Sequence, residues 1–226
     1  MLEFLKRFFR LNHKQQPTPY LIEFRLYRSS KHFARKISLE LARRFRVKQS
    51  AKQENPAHVT LFGPFNTHDE NRLIQEFEKF CRKYDLIQFS LGGFEHINKE
   101  VIYLDVEPSQ ELIEFRRELA QNFIRFTSDY PLWDREPNFI FHTTLTKDFG
   151  DKFEAIWDYL SRVHASKRDQ YILRVCLLKN RRILCSYDFF QKKMLSRDAE
   201  LSEREMDKTI NLVLLIRKND GKRTKY

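Results

Sequence analysis

An α+β chain made of two copies of a β-α-β-α-β unit is what this sequence predicts, on three observations. The tetrapeptide His-x-Thr-Leu occurs twice, as His58-Val59-Thr60-Leu61 and His142-Thr143-Thr144-Leu145. Apolar periodicity alternates between the strand and helix repeats in the same order around each copy. The opening strands of the two series lie about 80 residues apart, and the two histidines lie 84 apart. With seven His and nine Thr in 226 residues, His-x-Thr is expected by chance roughly 0.3 times, and twice in only a few per cent of such chains. A Phe follows each His at one distance (Phe65, Phe149), and Pro56 and Pro137 precede them where a chain entering a strand turns. The pattern is that of an internal duplication.

In the first unit, residues 20–27 alternate as a strand. Residues 31–45 have helical periodicity through Phe33, Ile37, Leu41 and Phe45. A polar loop through Asn55-Pro56 leads into the first motif strand, then a helix near 69–84 and a strand over 86–91 that ends at Gly92-Gly93. In the second unit, 101–106 is a strand and 109–126 a helix with Ser109 as N-cap. The second motif strand covers 139–146. A helix over 151–164 places Phe153, Ile156, Trp157 and Leu160 on one face, and a strand over 171–178 closes the unit. Lys179-Asn180-Arg181-Arg182 reads as a hairpin turn into a strand over 183–190. Beyond it, 197–208 is charged and helical, 209–216 is β-branched and apolar and reads as a strand covered on both faces, and Asn219-Asp220-Gly221 opens a basic tail. The chain thus divides into a basic amphipathic segment at 1–19, a duplicated body at 20–192 and an extension at 193–226. Leu2, Leu5 and Phe9 recur at helical spacing in the first segment, which suits a helix docked on the body; a membrane-surface contact and a transit sequence are the alternatives.

Composition narrows the class. An apolar fraction of 41 % and 21 Phe exclude a disordered chain. The net charge of +11 favours anionic partners such as phosphates, although the cations are spread along the chain without a long basic block and also suit solvated helix faces. Cys81, Cys176 and Cys185 form no C-x-x-C pair and leave an odd count, which argues against a disulfide framework or zinc ribbon and fits a reducing, cytoplasmic setting. No stretch approaches the roughly 20 apolar residues of a membrane span, so stable membrane insertion is not expected.

Period-two reading separates the strand faces. Tyr20, Ile22, Phe24 and Leu26 form one packing set and Ile102, Leu104 and Val106 another, leaving Glu23, Arg25 and Tyr27, and Tyr103 and Asp105, on the opposite faces. The same rule puts His58, Thr60 and Phe62 together, His142, Thr144 and Thr146 together, and Arg174 on the non-core face. One concave surface is therefore expected to gather the two His, with Tyr27, Tyr103 and Phe62 available to stack on a base. A solvent-washed sheet face would also be polar, which is the plainer account of Arg25, Asp105 and Arg174. A lone strand histidine is ordinarily a structural one; the pair in register is what points to chemistry.

Two imidazoles, each able to act as acid or base near neutrality, can divide the work at one phosphorus. One takes a proton from water or a ribose hydroxyl, and the other gives one to the leaving oxygen. Thr hydroxyls can hold the non-bridging oxygens. The scheme needs no metal or other cofactor. The sequence has neither His-Glu-x-x-His nor a Gly-x-x-x-x-Gly-Lys-Ser/Thr loop.

Two His-x-Thr-Leu elements in β-α-β-α-β halves resemble the two-histidine phosphoesterase superfamily, which includes the 2′-5′ RNA ligase-like proteins and the 2′,3′-cyclic nucleotide phosphodiesterases. The resemblance covers roughly residues 20–190. It implies a bilobal fold of mainly antiparallel sheets around a central cleft, with helices outside, and metal-independent action on 2′,3′-cyclic phosphate or 2′-5′ linkages of RNA ends or small nucleotides. It makes His58 and His142 the acid/base pair and Thr60 and Thr144 the phosphate-binding hydroxyls. Lys147 stands where many ligase-like members place Arg, keeping the charge without the bidentate fork. The run Phe62-Gly63-Pro64-Phe65 resembles a divergent branch. Further substrate contacts are expected from Tyr103, Tyr27, Phe62 and Arg25, in a monomer whose partner is an RNA terminus or nucleotide. A module that binds RNA or a nucleotide in the same cleft without turnover is the rival reading.

Overall fold

Neither half-chain closes a sheet by itself. The computed structural model describes residues 19–47 and 56–223, the last seven by backbone alone. The first half supplies β1 (Tyr20–Arg25), α1 (Arg28–Phe45), β2 (His58–Phe65), α2 (Glu70–Cys81) and β3 (Gln88–Ile97). The second supplies β4 (Val101–Pro108), α3 (Gln110–Phe123), β5 (His142–Lys147), α4 (Phe153–Ser161) and β6 (Arg168–Tyr171). They are followed by β7 (Arg174–Lys179), β8 (Arg182–Asp188), β9 (Lys193–Ser196), α5 (Arg197–Leu201) and α6 (Glu203–Arg223). One sheet has the order β2-β1-β7-β8-β9 and the other β5-β4-β3-β6, with every pairing antiparallel. The last strand of the first half thus completes the second half's sheet, and β7 returns to complete the first. This is the α+β, two-sheet architecture expected. The predicted segment 1–19 lies, except for Pro19, outside the described residues.

The sheets pack on each other through the core. Phe24 of β1 meets Phe89 of β3 with ring centroids 5.0 Å apart. Outside the sheets, α1 buries Ala34, Ile37 and Leu41 and lies along β5, while α3 runs against β2, β3 and β4. The helix starts follow local chemistry. The Asp69 carboxylate accepts from the Arg72 N–H at 2.9 Å and the Ser109 hydroxyl from the Leu112 N–H at 3.3 Å, each satisfying an orphan donor of a first turn. Hairpins β3–β4 and β7–β8 turn on residue pairs with positive φ, Asn98-Lys99 and Asn180-Arg181, the twist that antiparallel strands favour.

Four sequence expectations change. Gly92-Gly93 does not end a strand; β3 continues to Ile97 through a bulge there, between the pairs Leu91–Val106 and Phe94–Leu104. The strand expected over 171–178 is two strands in different sheets. Ile172 and Leu173 carry the chain across, their backbones pairing with Ile87 and Phe189; an unbroken apolar run cannot show a change of sheet. Residues 209–216 are helical, as is the basic tail as far as Arg223. Met206, Ile210 and Val213 recur at helical spacing and pack on Leu173, so tertiary burial overrides β-propensity. The edge strand β9 follows a tight turn that the apolar pattern does not reveal.

Arg174 does lie on the predicted face, but that face is covered. The C-terminal helices close over β7 and β8, and Arg174 is buried there. Its guanidinium donates to Asp188 Oδ2 at 2.8 Å, to Glu200 Oε2 and carbonyl at 3.2 Å, and to the Glu205 carbonyl and Thr209 Oγ1 at 2.8 Å. Glu200 in turn accepts from Ser186 Oγ at 2.6 Å. A buried charge with this many partners is held in place rather than offered to a ligand.

Both motif strands bulge at the same place. Ile22 pairs with Phe62 while Glu23 pairs with Thr60, so Leu61 is an extra residue; Ile102 pairs with Thr146 while Tyr103 pairs with Thr144, so Leu145 is the extra one. After each bulge the next side chain turns inward. Phe62 and Thr146 are buried in the core instead of standing beside Thr60 and Thr144, which corrects Phe62 as a stacking residue. Phe62 packs on Phe65 and Phe123. The hydroxyl of Thr146, in the matching position, finds no hydrogen-bond partner among the described residues. Thr146→Val, which keeps the shape and removes the unsatisfied group, is expected to stabilise the fold by about 1–2 kcal/mol in denaturant unfolding; a lower midpoint would mean that the hydroxyl is paired.

Candidate active site

The hydroxyl of Thr143, on the core side of β5, donates to the backbone carbonyl of His58 at 3.1 Å. That bond joins the two motif strands, and through them the two sheets, at the level of both histidines. On the opposite side of the strands the cross-strand registers place Arg25 opposite His58 and Glu23 opposite Thr60, and Asp105 opposite His142 and Tyr103 opposite Thr144. Directly opposed residues project to one face, so each His-x-Thr lies beside a pair from the adjoining strand.

Each imidazole is held in the same way. The Nδ1–H of His58 donates to the Pro56 carbonyl at 3.0 Å, and that of His142 to the Ile140 carbonyl at 2.9 Å. A carbonyl can only accept, so in the neutral ring the proton sits on Nδ1 and Nε2 carries the lone pair. Two half-buried histidines thus present the same nitrogen for proton transfer. Burial, followed by the charge of His58 nearby, lowers the pKa of His142; the bond to Ile140 and the carboxylate of Asp105 oppose this. Burial likewise raises the pKa of Asp105, reinforced by Glu95 and Glu107.

The two lobes differ in what surrounds each ring. Glu23, buried, places Oε2 at 3.7 Å from His58 Nε2 while its Oε1 accepts from Arg25 Nε at 2.9 Å. Tyr103 occupies the matching position in the other lobe, with its ring 5.1 Å from that of His142. Burial raises the pKa of its hydroxyl, with Asp105 and Glu95 adding to the shift. Asp105 is accommodated by Gly92 at the bulge of β3, where a Cβ would stand 3.2 Å from Asp105 Oδ2. Among the described residues no group of three or more His, Cys, Asp or Glu is placed to hold a metal ion.

The structure therefore gathers His58, Thr60, His142, Thr144, Arg25 and Tyr103 as the period-two reading expects. Glu23 and Asp105 lie on the same faces, as that reading also expects; the structure adds Gly92 and Thr143, whose roles depend on register and on contacts between the halves. Lys147 is exposed at the end of β5, opposite Val101. Tyr27 is half-buried against the small cluster of Leu173, Ile210 and Val213 beneath α6. Tyr103, only 6 % exposed, supports the His142 ring rather than offering an open face.

Two strand-exchanged lobes that bring a pair of His-x-Thr strands together define a two-histidine phosphoesterase architecture. Residues 31–182 match the family model of the 2′-5′ RNA ligase superfamily, and the chain belongs to that family. It is 32 % identical over 113 residues to a protein of Bacillus mycoides (strain KBAB4) provisionally named a phosphoesterase; the match takes in 48 % of this chain and 60 % of the relative's length. Among solved structures, a phosphoesterase crystal structure aligns at 13 % identity and TM-score 0.46, covering 80 % of this chain and 94 % of that one. Escherichia coli LigT in complex with 3′-AMP aligns at 13 % and 0.43, covering 80 % and 93 %. Kluyveromyces marxianus Usb1 aligns at 12 % and 0.40, covering 73 % and 95 %.

The environment of His142 gives a direct test. Its NMR titration midpoint is expected below the ordinary value of 6.5. Asp105→Asn removes a negative charge that favours the imidazolium, so the midpoint should move lower still. An unchanged or raised midpoint in the variant would show that Asp105 does not favour the imidazolium.

Proposed function

We propose that this protein is a phosphoesterase that opens 2′,3′-cyclic phosphates, or cleaves 2′-5′ phosphodiester linkages, at RNA ends or in small nucleotides by acid/base catalysis with His58 and His142. The observation that carries the reading is the matched pair of Nδ1–H bonds to the Pro56 and Ile140 carbonyls, which leaves two Nε2 atoms for proton transfer. A phosphate held between two such nitrogens can gain a proton on one side while losing one on the other.

In this reading His142, whose burial favours the neutral ring, accepts a proton from water through Nε2. The water oxygen bonds to phosphorus as the bond to the ribose oxygen breaks. The Nε2–H of His58, faced by the Glu23 carboxylate at 3.7 Å, delivers its proton to that oxygen, and proton exchange with solvent resets both rings. Thr60 and Thr144 donate to the non-bridging oxygens, where negative charge accumulates. Arg25, opposite His58, and Lys147 add positive charge on the phosphate side. The scheme uses no metal or other cofactor.

Turnover of 2′,3′-cyclic nucleotides should fall by about 10²–10⁴-fold in both His58→Ala and His142→Ala. Full activity in either variant would sink the mechanism. Tight nucleotide binding by the wild type with no turnover of any cyclic phosphate would favour a binding module. Hydrolysis should persist in EDTA, and loss of activity restored by a divalent cation would replace this scheme with a metal-assisted one.

A further inference from the structure

Of the chain's net charge of +11, which looks evenly scattered in the sequence, α1 alone carries +5. α1 (Arg28–Phe45) carries six basic residues and one acidic residue, whereas α2, α3, α4 and α5 each have more acids than bases and α6 sets four acids against its six bases. Arg28, Lys31, Arg35, Lys36 and Arg43 are all exposed and lie opposite the buried Ala34, Ile37 and Leu41. None of these five side chains makes an ion pair or hydrogen bond among the described residues. Glu40, the one acid, is half-buried, and after burial its carboxylate is the main cause of the raised pKa of the Tyr159 hydroxyl. At its N-terminal end the pattern works against the helix itself, although Arg43 in the last turn suits the dipole. Its first turn has no acid and begins with Arg28 at positive φ. Cations there oppose the macrodipole, and Lys31 and Arg35 repel at i,i+4. A surface that tolerates this cost is one that a bound polyanion would relieve.

We infer that the exposed face of α1 is a track for the phosphate backbone of single-stranded RNA whose reactive end occupies the cleft. This rests on the proposed phosphoesterase reading and extends its substrate from a mononucleotide to a strand. Position supports it. Arg25 stands directly opposite His58, and α1 begins three residues later. The 18-residue helix lies along β5, the strand that carries His142, and is about 27 Å long, enough for several nucleotides. A membrane surface fits less well. The apolar face of α1 is already in the core, and the exposed large hydrophobics among the described residues all lie on other elements.

The test is a full-length variant with Lys31→Gln, Arg35→Gln, Lys36→Gln and Arg43→Gln. Its binding to a fluorescein-labelled single-stranded 12-mer RNA with a 3′-hydroxyl, which cannot be turned over, is measured against salt concentration. Affinity should fall about ten-fold or more, and the log–log salt slope should shrink by about 0.7 for each phosphate that the variant no longer neutralises. kcat/KM for a 2′,3′-cyclic mononucleotide should be unchanged. The unfolding midpoint should change little, because Lys31→Gln and Arg35→Gln remove cations that oppose the dipole while Arg43→Gln removes one that suits it. If the quadruple variant does not fold, Arg35→Gln and Lys36→Gln alone should each weaken RNA binding roughly two- to three-fold. Unchanged RNA affinity would overturn the proposal, as would a loss confined to vesicles of 70 % phosphatidylcholine and 30 % phosphatidylserine. Because the RNA readout needs no catalysis, absence of cyclic phosphate turnover would refute the enzymatic reading and leave the RNA surface standing.

Discussion

The contact between Thr143 and the His58 carbonyl is where the two lobes become one site. Either His-x-Thr strand alone offers an imidazole and a hydroxyl at a sheet edge, since β2 and β5 are both terminal strands of their sheets. An exposed edge strand is a liability with unpaired backbone groups. Here each edge is turned toward the other, and the buried Thr143 hydroxyl satisfies a carbonyl that the β1 ladder leaves available. The exchange of β3 and β7 between the halves enforces this meeting. Each sheet is built from strands of both halves, so the lobes cannot separate without breaking a ladder.

The near-symmetry of the backbone makes the asymmetry of the chemistry informative. Both rings are locked by the same Nδ1–H bond, and both strands bulge at the Leu of the motif. The neighbours nonetheless differ. Glu23 and Arg25 surround one ring; Tyr103 and Asp105 surround the other. A duplicated scaffold thus gives two histidines equal geometry and unequal electrostatics, as a reaction with one proton donor and one acceptor requires. The C-terminal helices add to this asymmetry. They cover the first lobe's sheet beside β1 through the Arg174 cluster and, among the described residues, have no counterpart over the second.

The architecture also accounts for the fate of the aromatic residues. Phe62 is diverted into the core by the first bulge, Tyr103 packs on His142, and Tyr27 lies under α6. The rings that looked available to a base therefore serve the scaffold or brace the His142 ring. Threonine hydroxyls and the Arg25 guanidinium remain beside the histidines with the carboxyl groups of Glu23 and Asp105, and these hydroxyl and guanidinium donors suit phosphate oxygens more than the face of a nucleobase.

The duplication, the order of strands and helices as far as α4, the capping residue Ser109 and the pairing of His58 with Thr60 and His142 with Thr144 were legible in the chain itself. All follow from local periodicity and spacing, which depend on near neighbours alone. The strand exchange, the turn of Phe62 and Thr146 into the core, the burial of Arg174 and the helical state of residues 209–216 were not. Each depends on which distant segment supplies the facing surface. A register shift of one residue, or a helix laid over a sheet, reverses the environment of a side chain without leaving a mark in its local sequence.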